Sequence, residues 1–193
     1  MAASDLELWL IRHGETEWSL SGAHTSRTDI PLTDRGRERA QKIREYLQGK
    51  SFSMVLTSPM QRARDTCRIA GFGDVAQIDN DLVVWDYGVY EGRTTKDIQK
   101  EVPGWSVWTS PIVGGETSDQ VADRANRVIG RAAAKGGSVA LFAHGHILRI
   151  LAACWIESPP IMGSRLALST GAVSTLGFEH QTRVITMWNR TLD

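Results

Sequence analysis

A three-layer αβα sandwich around a mostly parallel sheet, hence the α/β class, is the architecture that these 193 residues predict. Three observations carry it. Apolar runs alternate with amphipathic ones along the chain, the pattern of strands covered by helices. Leu6 to Ile11, Met54 to Thr57 and Ser138 to Ala143 are apolar nearly throughout, as strands buried on both faces must be. Each of the three runs leads at once into side chains with anion-binding chemistry: Arg12-His13-Gly14, Ser58-Pro59 with Arg62, and His144-Gly145-His146. Open parallel sheets bind ligands at such strand tips.

The elements follow in order. After the first strand, Thr16 to Pro31 has little periodicity and reads as a loop over the sheet edge. Thr33 offers an N-cap, and Gly36, Ala40, Ile43 and Leu47 follow at helical spacing as far as Gly49. Ser58 as N-cap with Pro59 at the first position starts a helix that stops at Gly71. Val75 to Ile78 is a third strand, and Leu82 to Trp85 is a short apolar piece. Thr94 caps a helix to about Val102, and Pro103 to Gly115 is loop. Thr117 and Gln120 have capping-box spacing ahead of a long helix faced by Val121, Ala125, Val128, Ile129 and Ala132. Ile147 to Ile156 is apolar on nearly every side and predicts a buried helix. Ala172 to Glu179 and Arg183 to Trp188 form a closing antiparallel hairpin.

Composition excludes several classes of function. The chain carries 22 basic and 22 acidic residues, so nothing draws it electrostatically to nucleic acid or to a membrane surface. The apolar share of 41% is that of a soluble globular chain, and no apolar run approaches the ~18 residues of a membrane span. No leader of the secretory kind is visible, which makes the cytoplasm the expected compartment. Cys67 and Cys154 are read as reduced core thiols rather than as a disulfide.

In a parallel sheet the three junctions share one edge. Arg12, Arg62, His13 and His144 then meet there with the amide groups of helix N-termini, which is a phosphate cage. Each residue alone has a bland reading, as surface decoration, a solvated helix residue or a hydrogen-bonded structural histidine. Their joint placement is what points to a site.

These residues resemble the histidine phosphatase superfamily, which includes the cofactor-dependent phosphoglycerate mutases. Arg12-His13-Gly14-Glu15-Thr16 with Trp18 carries the resemblance first, then Pro31-Leu32-Thr33 through Gly36, and Ser58-Pro59 through Arg62 and Thr66. Gly88 with Glu91-Gly92, Gly115-Glu116-Thr117 and His144-Gly145 follow in the family's order. The resemblance implies one phosphoglycerate mutase-like domain over residues 1–193 and phosphoryl transfer in two steps. His13 would attack phosphorus and become phosphohistidine, with its other ring nitrogen donating to a carbonyl. Arg12, Arg62 and His144 would hold the phosphoryl oxygens. No cofactor is implied. A metal site built on His13, His144 and His146 lacks a carboxylate ligand, so the metal expectation is none.

Relatives of this kind place a Glu four residues before the Gly of the Tyr-Gly-x-Tyr-Glu-Gly block, where it protonates the leaving group. Here that position is Val84, which has no proton to give. Asp86, two residues on, is the tentative replacement, since an extended segment points both side chains the same way. Ser19, Thr25 and Ser26 match pocket-lining positions, and His146 is a further candidate for substrate contact or, alternatively, for capping its helix; His24 and His180 have no assigned role.

The short span between Gly92 and Gly115 leaves little room for a mutase insertion and favours the compact phosphatases. The expected activity is therefore that of a phosphomonoesterase on small phosphorylated metabolites, sugar phosphates and bisphosphates among them. Phosphoglycerate mutase is the alternative. A phospho-ligand-binding module disabled by Val84 is the second. Oligomeric state stays open, with a homodimer through the hairpin edge as one form.

Overall fold

Alternation along a strand sends neighbouring side chains to opposite faces, so a strand apolar at every position needs cover on both sides. The structure, a computed structural model, describes residues 5–192. Its elements run β1 (Glu7–Arg12), α1 (Glu17–Ser21), α2 (Asp34–Leu47), β2 (Met54–Thr57), α3 (Gln61–Ile69) and β3 (Gln77–Ile78). They continue α4 (Thr95–Glu101), α5 (Ser118–Lys135), β4 (Ser138–Ala143), α6 (Gly145–Trp155), β5 (Val173–Glu179) and β6 (Thr182–Arg190). The six-stranded sheet has the order β3-β2-β4-β1-β5-β6. β3, β2, β4 and β1 are mutually parallel, and the closing hairpin adds antiparallel pairs β1–β5 and β5–β6.

Leu8 and Leu10 of β1 and Val139 and Leu141 of β4 pack with α5 and α6 on one face of the sheet. Trp9, Ile11, Ala140 and Phe142 pack with Ile43 and Leu47 of α2 and Cys67 of α3 on the other. That is the three-layer sandwich. Cys67 and Cys154 belong to cores on opposite faces, which accounts for both being free thiols. Burial pushes them up to about 12 and about 11, away from reactivity.

Several boundaries differ from expectation. The loop predicted over Thr16 to Pro31 contains α1, because Thr16 and Ser19 close a reciprocal capping box over a single short helix. The third strand shrinks from Val75–Ile78 to Gln77–Ile78, an exposed pair at the sheet edge. Ser58 does not cap α3. Its hydroxyl is drawn to His144 (2.8 Å), the helix starts at Gln61, and Asp29 Oδ1 accepts from the Gln61 amide (2.8 Å) instead.

The backbone after β1 and the first turn of α2 touch directly. A Cβ on Gly36 would sit 2.2 Å from the Glu15 carbonyl oxygen, and one on Gly14 2.4 Å from the Gly36 oxygen. Gly36→Ala therefore forces two backbones apart. The expected cost is at least about 2 kcal/mol, a fall in Tm of roughly 4–8 °C. Gly130, exposed in α5 with open space around its Cβ position, is the control. Gly130→Ala is expected to raise stability by about 0.5–1 kcal/mol. Equal melting of the two variants would refute the close-approach argument.

Candidate active site

Register brings the three junctions together. Arg12 pairs with Ala143 and Thr57 with Phe142, so His13, Ser58 and His144 leave the sheet side by side. The amides of His13 and Ser58 donate to the Ala143 (2.9 Å) and Phe142 (2.9 Å) carbonyls, which fixes the tips before any side chain acts. There His13 and His144 line a cavity of about 170 Å³ together with Arg12, Arg62, Val84, Tyr87, His146 and Arg149.

His13 is 6% exposed. Its Nδ1 lies 2.7 Å from the Gly14 carbonyl oxygen, which can only accept, so Nδ1 carries the proton and Nε2 keeps its lone pair. Burial holds this imidazole well below the usual histidine range, and the Arg12 and Arg62 charges push it lower. It is therefore neutral at neutral pH. Gly14 is tied down in turn, its amide donating to Thr66 Oγ1 (3.0 Å), which donates to the Arg62 carbonyl (2.7 Å).

Arg62, 1% exposed on α3, aims Nε at His144 Nδ1 (3.2 Å) and Nη1 and Nη2 at the carbonyls of Thr28 and Ser26 (3.3 and 3.5 Å). Because Arg62 donates, His144 Nδ1 accepts and its Nε2–H donates to Ser58 Oγ. The His13 and His144 rings are 5.1 Å apart. Arg12 donates through Nη1 to the Leu168 carbonyl, while its buried Nε has no hydrogen-bond partner. Desolvation pulls Arg12 down to about 10, still a cation at neutral pH. Its guanidinium lies over Gly145, whose Cβ position is only 3.3 Å from it. A side chain there would displace the cation.

Arg149 was not anticipated. It stands three residues after His146 on α6, hence on the same helix face. Its Nε and Nη2 donate to Gly163 and Ser164 carbonyls (2.9 and 3.1 Å), and its head lies 4.6 Å over the Trp108 ring. Tyr87 is the second omission. Its hydroxyl is 2.5 Å from His146 Nδ1. His24, left unassigned by the sequence, also lines the cavity, and burial lowers it to about 4. Among the described residues the cavity lining has three guanidinium groups and no carboxylate. Asp29 reaches Arg62 only at 4.0 Å; buried cations with so little counter-charge are costly, and a phosphoryl dianion offsets that cost.

Ser19, Thr25 and His146 line this cavity as expected. Ser26 does not: it is buried beside it, its amide donating to Glu91 Oε1 (3.2 Å) and its carbonyl accepting from Arg62. Asp86 is also corrected. Its Oδ2 accepts from Arg27 Nε and Nη2 (3.0 and 2.5 Å) and its Oδ1 from the Gly88 amide (3.0 Å), so it lines a neighbouring groove instead. Val84 lines both spaces and forms part of the wall between them. His180 lies exposed at the hairpin turn. Trp85, Trp105 and Trp155 are buried core side chains. No helix among the described residues is long and apolar enough to cross a membrane.

Comparison with known proteins agrees with this geometry. Residues 8–191 match the family model of the histidine phosphatase superfamily, branch 1. An acid phosphatase of Mycobacterium tuberculosis is 37% identical over 99% of this chain and 96% of its own length. A sedoheptulose 1,7-bisphosphatase of Saccharomyces cerevisiae is 34% identical over 76% of this chain and 66% of its own. A solved structure of an M. tuberculosis open reading frame superposes with a TM-score of 0.92 at 36% identity, covering 98% of this chain and all of that one. With its fold, its strand-tip cage and its sequence in agreement, the chain belongs to the histidine phosphatase superfamily.

Proposed function

We propose that the chain is a phosphomonoesterase for small phosphorylated metabolites, sugar phosphates foremost, working through phosphohistidine at His13. The observation that carries this reading is the His13–Gly14 hydrogen bond, which presents an unprotonated Nε2 inside a cage of buried arginines. Arg12 offers its unpartnered Nε–H, and Arg62 the Nη hydrogens left over from its bonds to Thr28 and Ser26, to the phosphoryl oxygens. These cations stabilise charge that spreads over the oxygens in the transition state. His144 holds Arg62 in place and turns its Nε2–H from Ser58 to a phosphoryl oxygen when substrate enters. Ser19, Thr25 and His146 line the space left for the alcohol portion. The relatives named for sugar bisphosphate and acid phosphatase activity support this substrate class.

A panel of sugar mono- and bisphosphates, p-nitrophenyl phosphate and 3-phosphoglycerate with catalytic bisphosphoglycerate tests the reading. Release of inorganic phosphate from the sugar esters is expected, without interconversion of phosphoglycerates. Isomerised phosphoglycerate would favour a mutase, and phosphate binding without turnover a binding module.

Val84 makes a second expectation. With no carboxyl at this position, good leaving groups are favoured, so aryl esters turn over faster than sugar esters. Val84→Glu places a carboxylic acid on the cavity wall and is expected to raise kcat/KM on sugar phosphates by roughly 10–100-fold, with little change on p-nitrophenyl phosphate. Equal gains on both substrates, or none, would show that position 84 does not face the leaving oxygen.

A further inference from the structure

The cavity is lined by no carboxylate among the described residues, yet departure of a sugar alkoxide needs a proton. We propose that the Tyr87 hydroxyl is the general acid of this site, with His146 as the residue that positions it. The assignment rests on the phosphatase reading above and adds the group that completes it.

Tyr87 is 3% exposed, and its ring lies on the cavity wall. Its hydroxyl oxygen is 2.5 Å from His146 Nδ1. Three cations act on that oxygen: Arg12 and Arg62, the two arginines of the phosphoryl cage, and Arg149. Tyr87 lines the same cavity as Arg12, His13, Arg62 and His144, which puts it on the wall of the phosphoryl site. Around it the His146 ring is packed edge-on by Trp85 (6.0 Å between centroids) and Trp108 (5.1 Å), with His24 stacked at 6.4 Å. These rings fix the imidazole and hence the phenol. His146, next to Arg149, is held neutral by burial and by that positive charge. Burial likewise keeps the phenol protonated at neutral pH, partly opposed by the three arginines.

In the active tautomer His146 Nδ1–H donates to the Tyr87 oxygen, which leaves the phenolic hydrogen free for substrate. His13 Nε2 attacks phosphorus with its lone pair. The P–O ester bond breaks, its electron pair passes to the leaving oxygen, and that oxygen takes the Tyr87 proton. The products are an alcohol, phosphohistidine and a phenolate stabilised by Nδ1–H and the arginines. Water then attacks phosphorus and the N–P bond electrons return to Nε2. The phenolate accepts the water proton, phosphate leaves, and Tyr87 is restored. A phenol is a weaker acid than a carboxylic acid, and burial weakens Tyr87 further, so it serves a sugar leaving group at reduced efficiency.

The test is leaving-group dependence in Tyr87→Phe. Turnover of a sugar phosphate is expected to fall at least about 100-fold, and that of p-nitrophenyl phosphate, which needs no proton, by less than about 5-fold. Adding Val84→Glu to Tyr87→Phe is expected to return most of the sugar phosphate rate. His146→Gln keeps Tyr87 and is expected to show a smaller loss of the same selectivity. It decides the matter should Tyr87→Phe fail to bind vanadate, the sign of a disturbed cage. Equal losses on the two esters, or no loss on the sugar ester, would overturn the assignment. A wild-type protein that hydrolyses neither ester would instead overturn the phosphatase reading.

Discussion

His13→Gln is expected to lower phosphate release by at least about 10⁴-fold on every ester, aryl or alkyl. On the proposed reading His13 is the nucleophile, and no other side chain substitutes for the bonding pathway it supplies. That loss corresponds to roughly 5.5 kcal/mol of transition-state stabilisation. Quenching wild-type protein with a ³²P-labelled substrate and resolving the peptides is expected to give an acid-labile label on the segment that contains His13. The variant is expected to carry none. The cage itself does not depend on the imidazole, since Arg62 is anchored on His144 and on two loop carbonyls. Vanadate or phosphate binding by His13→Gln is therefore expected to persist. Residual turnover within tenfold of wild type, or label on the variant, would mean that a different group attacks phosphorus.

The second large effect is loss of stability in acid. His13, His24 and His144 are buried and held below the ordinary histidine value of 6.5, His24 at about 4. Desolvation is the main cause in all three. In the unfolded chain they take up protons as pH falls through 6.5, while in the folded protein they do not. The unfolded state then binds more protons, so stability falls with pH. Above pH 7 the three contribute nothing to this dependence. Below 6.5 each removes up to about 1.4 kcal/mol per pH unit until its own folded-state value is reached, which for His24 is about 4. Stability to urea is expected to be lower at pH 5.0 than at pH 7.5, with about 2 kcal/mol of the difference from His24, and His24→Gln is expected to remove that share. Carboxylates such as Asp81, held low by its bonds to Arg127 and Arg131, act only at more acid pH. Identical urea midpoints at the two pH values would contradict the neutral-histidine assignment.

Much of the layer architecture was legible because strand and helix periods are local properties of the chain. Leu8 to Ile11 must have two covered faces whatever else the chain does, and the Thr117–Gln120 pair closes its own capping box. The cage was legible for a related reason. Arg12, His13, Ser58 and His144 follow directly on their strands, so a parallel register carries them to one edge. His13's bond to the adjacent Gly14 carbonyl is likewise a near-neighbour contact.

Partner choice among distant polar groups was not legible. Asp86 had a suitable position for an acid, but Arg27, 59 residues away, reaches it and turns it outward. Ser58 had the composition of an N-cap until His144 took its hydroxyl and Asp29 supplied the cap. The Tyr87–His146 contact, and the arrival of Arg149 in the same cavity, likewise join segments that no local pattern relates. The sequence by itself determined the sandwich, the strand tips and the cage residues, because backbone periodicity and register set them. Only the tertiary structure decided which carboxylates are spent on ion pairs, and that the Tyr87 hydroxyl meets His146. Those outcomes are settled by competition between groups brought together from far apart in the chain.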